Sequence, residues 1–136
     1  QVSDFIAQQL IDMQTTNMYK NQIMSFTNSV SKLIMFPLQR DRIDCYINNQ
    51  EYKKTYYYDY FVSNIIFPPK NKKDDNIKML IEAFDEFKKQ NIIIETADYD
   101  SSREAFDVRF IPLNDIEIED FVYNNNENNE KIEKSS

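Results

Sequence analysis

Tyr52, Tyr56, Tyr58 and Tyr60 share one parity within residues 52–60, with Lys54 between them and Lys53 alongside. On a regular strand their four phenols would line one face. Aromatic rings beside ammonium groups are the means by which single-stranded nucleic acid is held, each ring stacking on a base and each cation meeting a phosphate. A half-buried strand uses the same rings to cover a core while keeping the hydroxyls wet. Only Lys53 and Lys54 are adjacent, and Glu51 and Asp59 interrupt the run, so the half-buried strand is the preferred reading. Tyr is also an enriched anchor residue at protein interfaces, which makes Tyr56, Tyr58 and Tyr60 candidate partner-binding residues.

The acidic residues offer less chemistry. Asp98, Asp100 and Glu104 could be pictured around a hard cation, but a calcium loop needs a glycine and further oxygen ligands that this stretch lacks. A solvated turn is the expectation there, and also for Glu117, Glu119 and Asp120. Histidine is absent from the whole chain, which removes the commonest acid–base group, the commonest metal ligand and every Ser-His or Cys-His pair. The single cysteine, Cys45, sits among Ile43, Tyr46 and Ile47 and reads as a buried apolar side chain; it can form neither an internal disulfide nor a zinc site. Glycine is absent too, although average usage would supply roughly nine in a chain of this length. Phosphate loops and nucleophile elbows need backbone that only glycine adopts cheaply. No cofactor and no metal are expected, and a non-catalytic role follows.

The elements that must carry these residues centre on 74–113. Ile77, Leu80, Ile81, Phe84 and Phe87 share one helical face. Asp74 and Asp75 stand at the positive end of the helix dipole, with Lys88 and Lys89 at the negative end. An apolar run at Ile92–Thr96, a polar turn at Asp98–Ser102 and an alternating run at Ala105–Ile111 predict a β-hairpin, with Phe106, Val108 and Phe110 facing inward.

Upstream, Ser3 can cap a first helix with Ile6, Leu10 and Met13 on one face and Phe5 beside it. A second helix from about Met18 to Met35 spaces Tyr19, Ile23, Phe26, Val30 and Leu33 in a coiled-coil rhythm. The seam suits a partner helix, and Ile23, Phe26 and Val30 are its candidate contacts. About two and a half heptads fall short of the three to four a coiled coil wants, so packing within the domain ranks ahead. Pro37 closes that helix, since a residue before proline is pushed out of helical backbone. A short strand at Ile43–Ile47, a turn at Asn48–Gln50 and a strand at Thr55–Val62 follow. Pro68-Pro69 leads into a basic loop with Lys70, Lys72 and Lys73. Near the end, Asn114 with Glu117 has the spacing of a capping box, opening a short helix that turns Ile118, Phe121 and Val122 inward.

Residues 75–111 resemble, in order and spacing, the second half of a winged helix-turn-helix. That resemblance implies a reading helix and a wing on DNA, in a replication, telomere or transcription assembly. The charges depart from it: residues 91–111 carry a net −3, and Glu82, Asp85 and Glu86 stand on the presumed reading helix, where Lys and Arg are usual. The net charge of −7 is concentrated in residues 74–136, which carry −10, whereas residues 1–40 carry +1 and 41–73 carry +2. An acidic half repels phosphate backbones.

The chain is therefore expected to form one α+β domain over residues 1–123, with N-terminal helices over 1–36, a small antiparallel sheet, a central helix and a C-terminal hairpin. A disordered acidic, Asn-rich tail over 124–136 completes it. No transmembrane run or signal peptide is visible, and an intracellular protein–protein interaction or assembly module is the expected role. The alternative is nucleic-acid binding through Lys53, Lys54, Lys70, Lys72 and Lys73.

Overall fold

The structure is a computed structural model that describes the backbone of residues 2–123 and side chains from residue 7. The inward face expected of Phe5 and Ile6 and the tail expected over 124–136 lie outside the described residues. The elements run α1 (Val2–Met18), α2 (Lys20–Ser25), α3 (Ser29–Ile47), β1 (Lys53–Tyr57), α4 (Tyr58–Asn64), α5 (Lys73–Gln90), β2 (Ile94–Asp100), β3 (Ala105–Phe110) and α6 (Asp115–Ile118), closed by a π-type turn at Glu119–Tyr123. This is the α+β fold expected, with helices packed on one face of a three-stranded antiparallel sheet of order β1-β3-β2. Among the described residues no helix is long and apolar enough to cross a membrane.

The expected helix–hairpin unit is present. Helix α5 buries Leu80, Ala83, Phe84 and Phe87, and β3 buries Phe106, Val108 and Phe110 against it while Arg109 stays exposed. Phe84 and Phe106 meet at 5.2 Å between ring centres, and Phe61 closes on both rings. Ile81, expected on the inward face, lies on the rim instead: one residue past Leu80 is a rotation of roughly 100° on a helix. The hairpin turn sits later than expected, at Ser101–Glu104, because β2 stays paired through Asp100 opposite Ala105.

A further helix and strand accompany this unit. Helix α4 precedes α5, and β1 supplies a third strand on β3. The eight residues between α4 and α5 exceed the three or four of a tight helix-turn-helix.

Four further sequence expectations are corrected. The single helix from Met18 to Met35 is broken at Phe26–Asn28. There Asn28 caps α3 through Val30 N–H at 2.9 Å, and Phe26 turns onto Phe87 at 4.9 Å. The Glu86 carboxylate holds the Thr27 and Asn28 N–H groups at 2.8 and 2.9 Å. A carboxylate reaching across from α5 thus fixes where α3 begins.

Helix α3 then continues through Pro37 to Ile47, so the expected stop at proline and the expected strand at 43–47 are both absent. Ile34, Met35, Leu38 and Ile43 are almost fully buried along it, and that packing outweighs the one backbone bond a proline removes. The strand expected over 55–62 ends at Tyr57. Tyr58 N–H makes a last bond to Glu104 O at 2.8 Å, after which Tyr58, Phe61 and Ile65 bury with helical spacing.

Candidate interaction surface

The change from strand to helix at Tyr58 dissolves the expected tyrosine face. Tyr56 is buried, with its hydroxyl donating to Asp41 and its ring stacked on Tyr60 at 5.3 Å. Burial and the Asp41 carboxylate push its phenol well above the ordinary range. Tyr58 is buried on α4 and accepts from Asn76 Nδ2 at 3.1 Å. Tyr60 is half-buried, its phenol raised by burial and then by Asp41. The ring that stays exposed on β1 is Tyr57, at 55 %.

The seam residues are also drawn inward. Phe26 and Val30 lie in the core and Ile23 packs half-buried against it. The interruption at 26–28 ends the seam, leaving Leu33 half exposed.

What α3 and α4 offer instead is a narrow apolar cleft lined by Leu33, Pro37, Tyr56, Tyr60 and Ile65. Its free space of about 20 Å³ admits one water or methyl group, far below a ligand pocket. Asn64 also lines it, and several large apolar side chains of α3, α4 and the residues just after α4 stay exposed. Leu33 is 50 % exposed, Val62 on α4 51 %, and Ile66 just beyond α4 91 %.

The basic positions are divided. Lys53 pairs with Glu51 at 3.1 Å, Lys54 with Asp41 at 3.1 Å, and Lys73 with Glu104. Lys70 and Lys72 are exposed and make no ion pair among the described residues. In the hairpin turn, Asp100 accepts from the Ser102 N–H at 2.9 Å and hydroxyl at 2.6 Å and from Arg103 Nε at 2.7 Å, contacts that hold its carboxyl well below the usual range. Asp100 and Glu104 are thus partnered within the chain, and among the described residues no three His, Cys, Asp or Glu side chains are grouped to hold a metal ion.

The residue that sequence reasoning misplaced most is Glu117. Expected as solvated surface, it is buried beneath α3, where it meets Arg42 and Tyr19. Its capping box with Asn114 is as expected, the Asn114 side chain accepting from Glu117 N–H at 2.8 Å. Nothing along the chain marks Arg42, which lies in a different element.

The outer face of the sheet is open to solvent, a hollow of about 440 Å³ bordered by Lys53, Thr55, Thr96, Asp98, Asp107 and Arg109. Cross-strand neighbours there carry like charge. Lys53 stands opposite Arg109, and Asp107 stands opposite Asp98.

These features define an α+β domain with a helix–hairpin unit, exposed apolar side chains on α3 and α4, and a zwitterionic sheet face. Comparison with known proteins adds no relative: no family model, no curated protein and no solved structure matches the chain.

Proposed function

We propose that this chain is a non-catalytic protein-interaction module of a larger assembly, docking through the rim of α3 and α4. The observation that carries this reading is the half-exposed Leu33 at the narrow cleft between α3 and α4, together with Val62 exposed on α4 and Ile66 exposed just beyond it. Apolar side chains gathered on a surface mark contact sites for protein, whereas singly scattered ones need no explanation. The cleft is too small for a cofactor and takes no more than a methyl group. Wild-type chain should capture a protein partner in quantitative affinity recovery, and Leu33→Glu with Ile66→Glu should lower that recovery at least tenfold. Recovery unchanged by the double variant overturns the reading.

The winged element order favours nucleic acid as a second reading, with Lys70 and Lys72 ahead of α5. Two free lysines give a salt slope of only about −2, against roughly −6 to −9 for a protein making six to ten phosphate contacts. Anisotropy of a labelled duplex between 50 and 200 mM salt separates the two readings. Binding with a slope near about −2 that is lost in Lys70→Ala/Lys72→Ala would favour nucleic acid.

A further inference from the structure

Like charges directly opposite each other on a sheet are destabilising, and cross-strand pairs are normally of opposite sign. The outer face of this sheet breaks that pattern twice in succession. Lys53, Arg109 and Thr96 form one row across the three strands, and Thr55, Asp107 and Asp98 form the next. A cationic row thus lies beside an anionic row, one step along the strands. Glu51 pairs with Lys53 and also lies within electrostatic reach of Arg109, while Arg103 and the Thr55 hydroxyl offset Asp107. Arg109 and Asp98 are exposed and have no ion pair among the described residues.

Two adjacent rows of opposite sign have a geometric consequence. A two-fold axis lying between the rows, parallel to them and in the plane of contact, sets each cationic row over the anionic row of an identical face. Arg109 of one copy then lies over Asp107 and beside Asp98 of the other, and the symmetry repeats the contact. Such isologous contacts are the commonest way that identical chains associate.

We infer that the outer face of the sheet is a self-complementary contact for a second copy of this chain, held by its alternating rows of charge. This rests on the interaction reading above but uses a separate surface. The face spans three strands about 4.8 Å apart and five or so residues of about 3.3 Å each, a few hundred Å² per copy. Stable dimers bury about 800 Å² per partner, so this contact is weak, fast and sensitive to salt.

Sedimentation equilibrium of the full chain between 10 and 500 µM tests it. Wild type should self-associate in 25 mM NaCl and weaken at least tenfold in 500 mM. Arg109→Glu and Asp98→Lys should each weaken association at least tenfold, and their equimolar mixture should recover to within about threefold of wild type. Arg109→Gln and Asp98→Asn should each weaken it less than the reversals do, and their mixture should recover less than the reversed pair, since it regains one native contact but no new ion pair. Leu33→Glu should leave it unchanged. The proposal is overturned by a wild type that stays monomeric at low salt, by association indifferent to both reversals, by a mixture no tighter than its components, or by loss in Leu33→Glu, which would move the contact to the cleft.

Discussion

Arg42 and Glu117, 75 residues apart, form a buried two-pronged ion pair, with Nη1 to Oε2 at 2.7 Å and Nη2 to Oε1 at 3.1 Å. The remaining donor of the guanidinium fork, Nε, reaches Ile111 O at 2.6 Å, and Nη2 also reaches Pro112 O at 3.3 Å. Tyr19, at the joint between α1 and α2, donates to the same carboxylate. One side chain on α3 thus ties down the strand exit, α6 and α1. A fully hydrogen-bonded pair offsets the desolvation of its charges, and a half-broken one does not.

Glu117→Leu should therefore destabilise the fold by about 3–5 kcal/mol, because it strands a buried guanidinium. Adding Arg42→Met should restore most of the loss. Urea unfolding followed by circular dichroism checks both, and a double variant no more stable than Glu117→Leu would show that the ion pair is not the source.

Two carboxylates that join separate elements contribute to acid sensitivity, beside Asp100 of the hairpin turn. Burial pushes Glu117 upward, but hydrogen bonds from Arg42 and Tyr19 outweigh it and leave the group below its ordinary 4.5. Glu86 is likewise pushed up by burial and brought below 4.5 by Ser31, Thr27 and Asn28. A depressed carboxylate contributes stability that is complete above its unfolded value and lost as pH falls through its folded one. As far as these two groups decide it, unfolding free energy should level off above about pH 5.5 and fall below about 4.5, with a shallower fall in Glu86→Gln/Glu117→Gln. Equal slopes in the two proteins would assign the acid transition elsewhere.

At the alkaline end, burial and the bond to Glu117 push the Tyr19 phenol up to about 12 from 10.0. A raised phenol favours the folded state fully below pH 10 and loses that contribution as pH rises through 12. Tyr19→Phe should flatten the loss of stability between pH 10 and 12, and should remove one late-titrating phenolate from the absorbance at 295 nm.

Glu86 also sets a boundary between elements. Its carboxylate takes Thr27 N–H, Asn28 N–H and the Ser31 hydroxyl, the last at 2.6 Å, at the N-terminus of α3. Glu86→Ala should cost about 1.5–3 kcal/mol, the range for hydrogen bonds to a charged group. Native-state hydrogen exchange should show the largest protection loss at Thr27–Ser31.

A last prediction concerns the joint between α5 and β2. Ile93 has φ +65° and Ile94 N–H bonds back to Ile92 O at 2.6 Å, a tight γ-turn at a fully buried β-branched residue. Such backbone costs roughly 1–3 kcal/mol, and it lets Ile92, Ile93 and Ile94 all bury. Ile93→Gly should consequently destabilise by about 1 kcal/mol less than Ile94→Gly, since glycine relieves the strain only at 93. Equal losses in urea unfolding would contradict it.

The sequence by itself determined the elements whose signal is local and repeated. Ile77 to Phe87 spans three helical turns, Phe106 to Phe110 alternates without a break, and Asn114 with Glu117 caps within four residues, so each pattern has one reading. Tertiary structure decided the places where a short pattern has two. Ile43, Cys45 and Ile47 fit a strand by parity, yet the core under α3 takes Ile43 and Cys45 as helix. Residues 56–61 are rich in strand-forming aromatics, and the end of the β3 ladder at Glu104 decides that Tyr58 begins a helix. The partners of charged groups were wholly beyond the sequence. A carboxylate's burial depends on which cation the fold delivers, and Arg42 meets Glu117 only after α3, β3 and α6 have packed together.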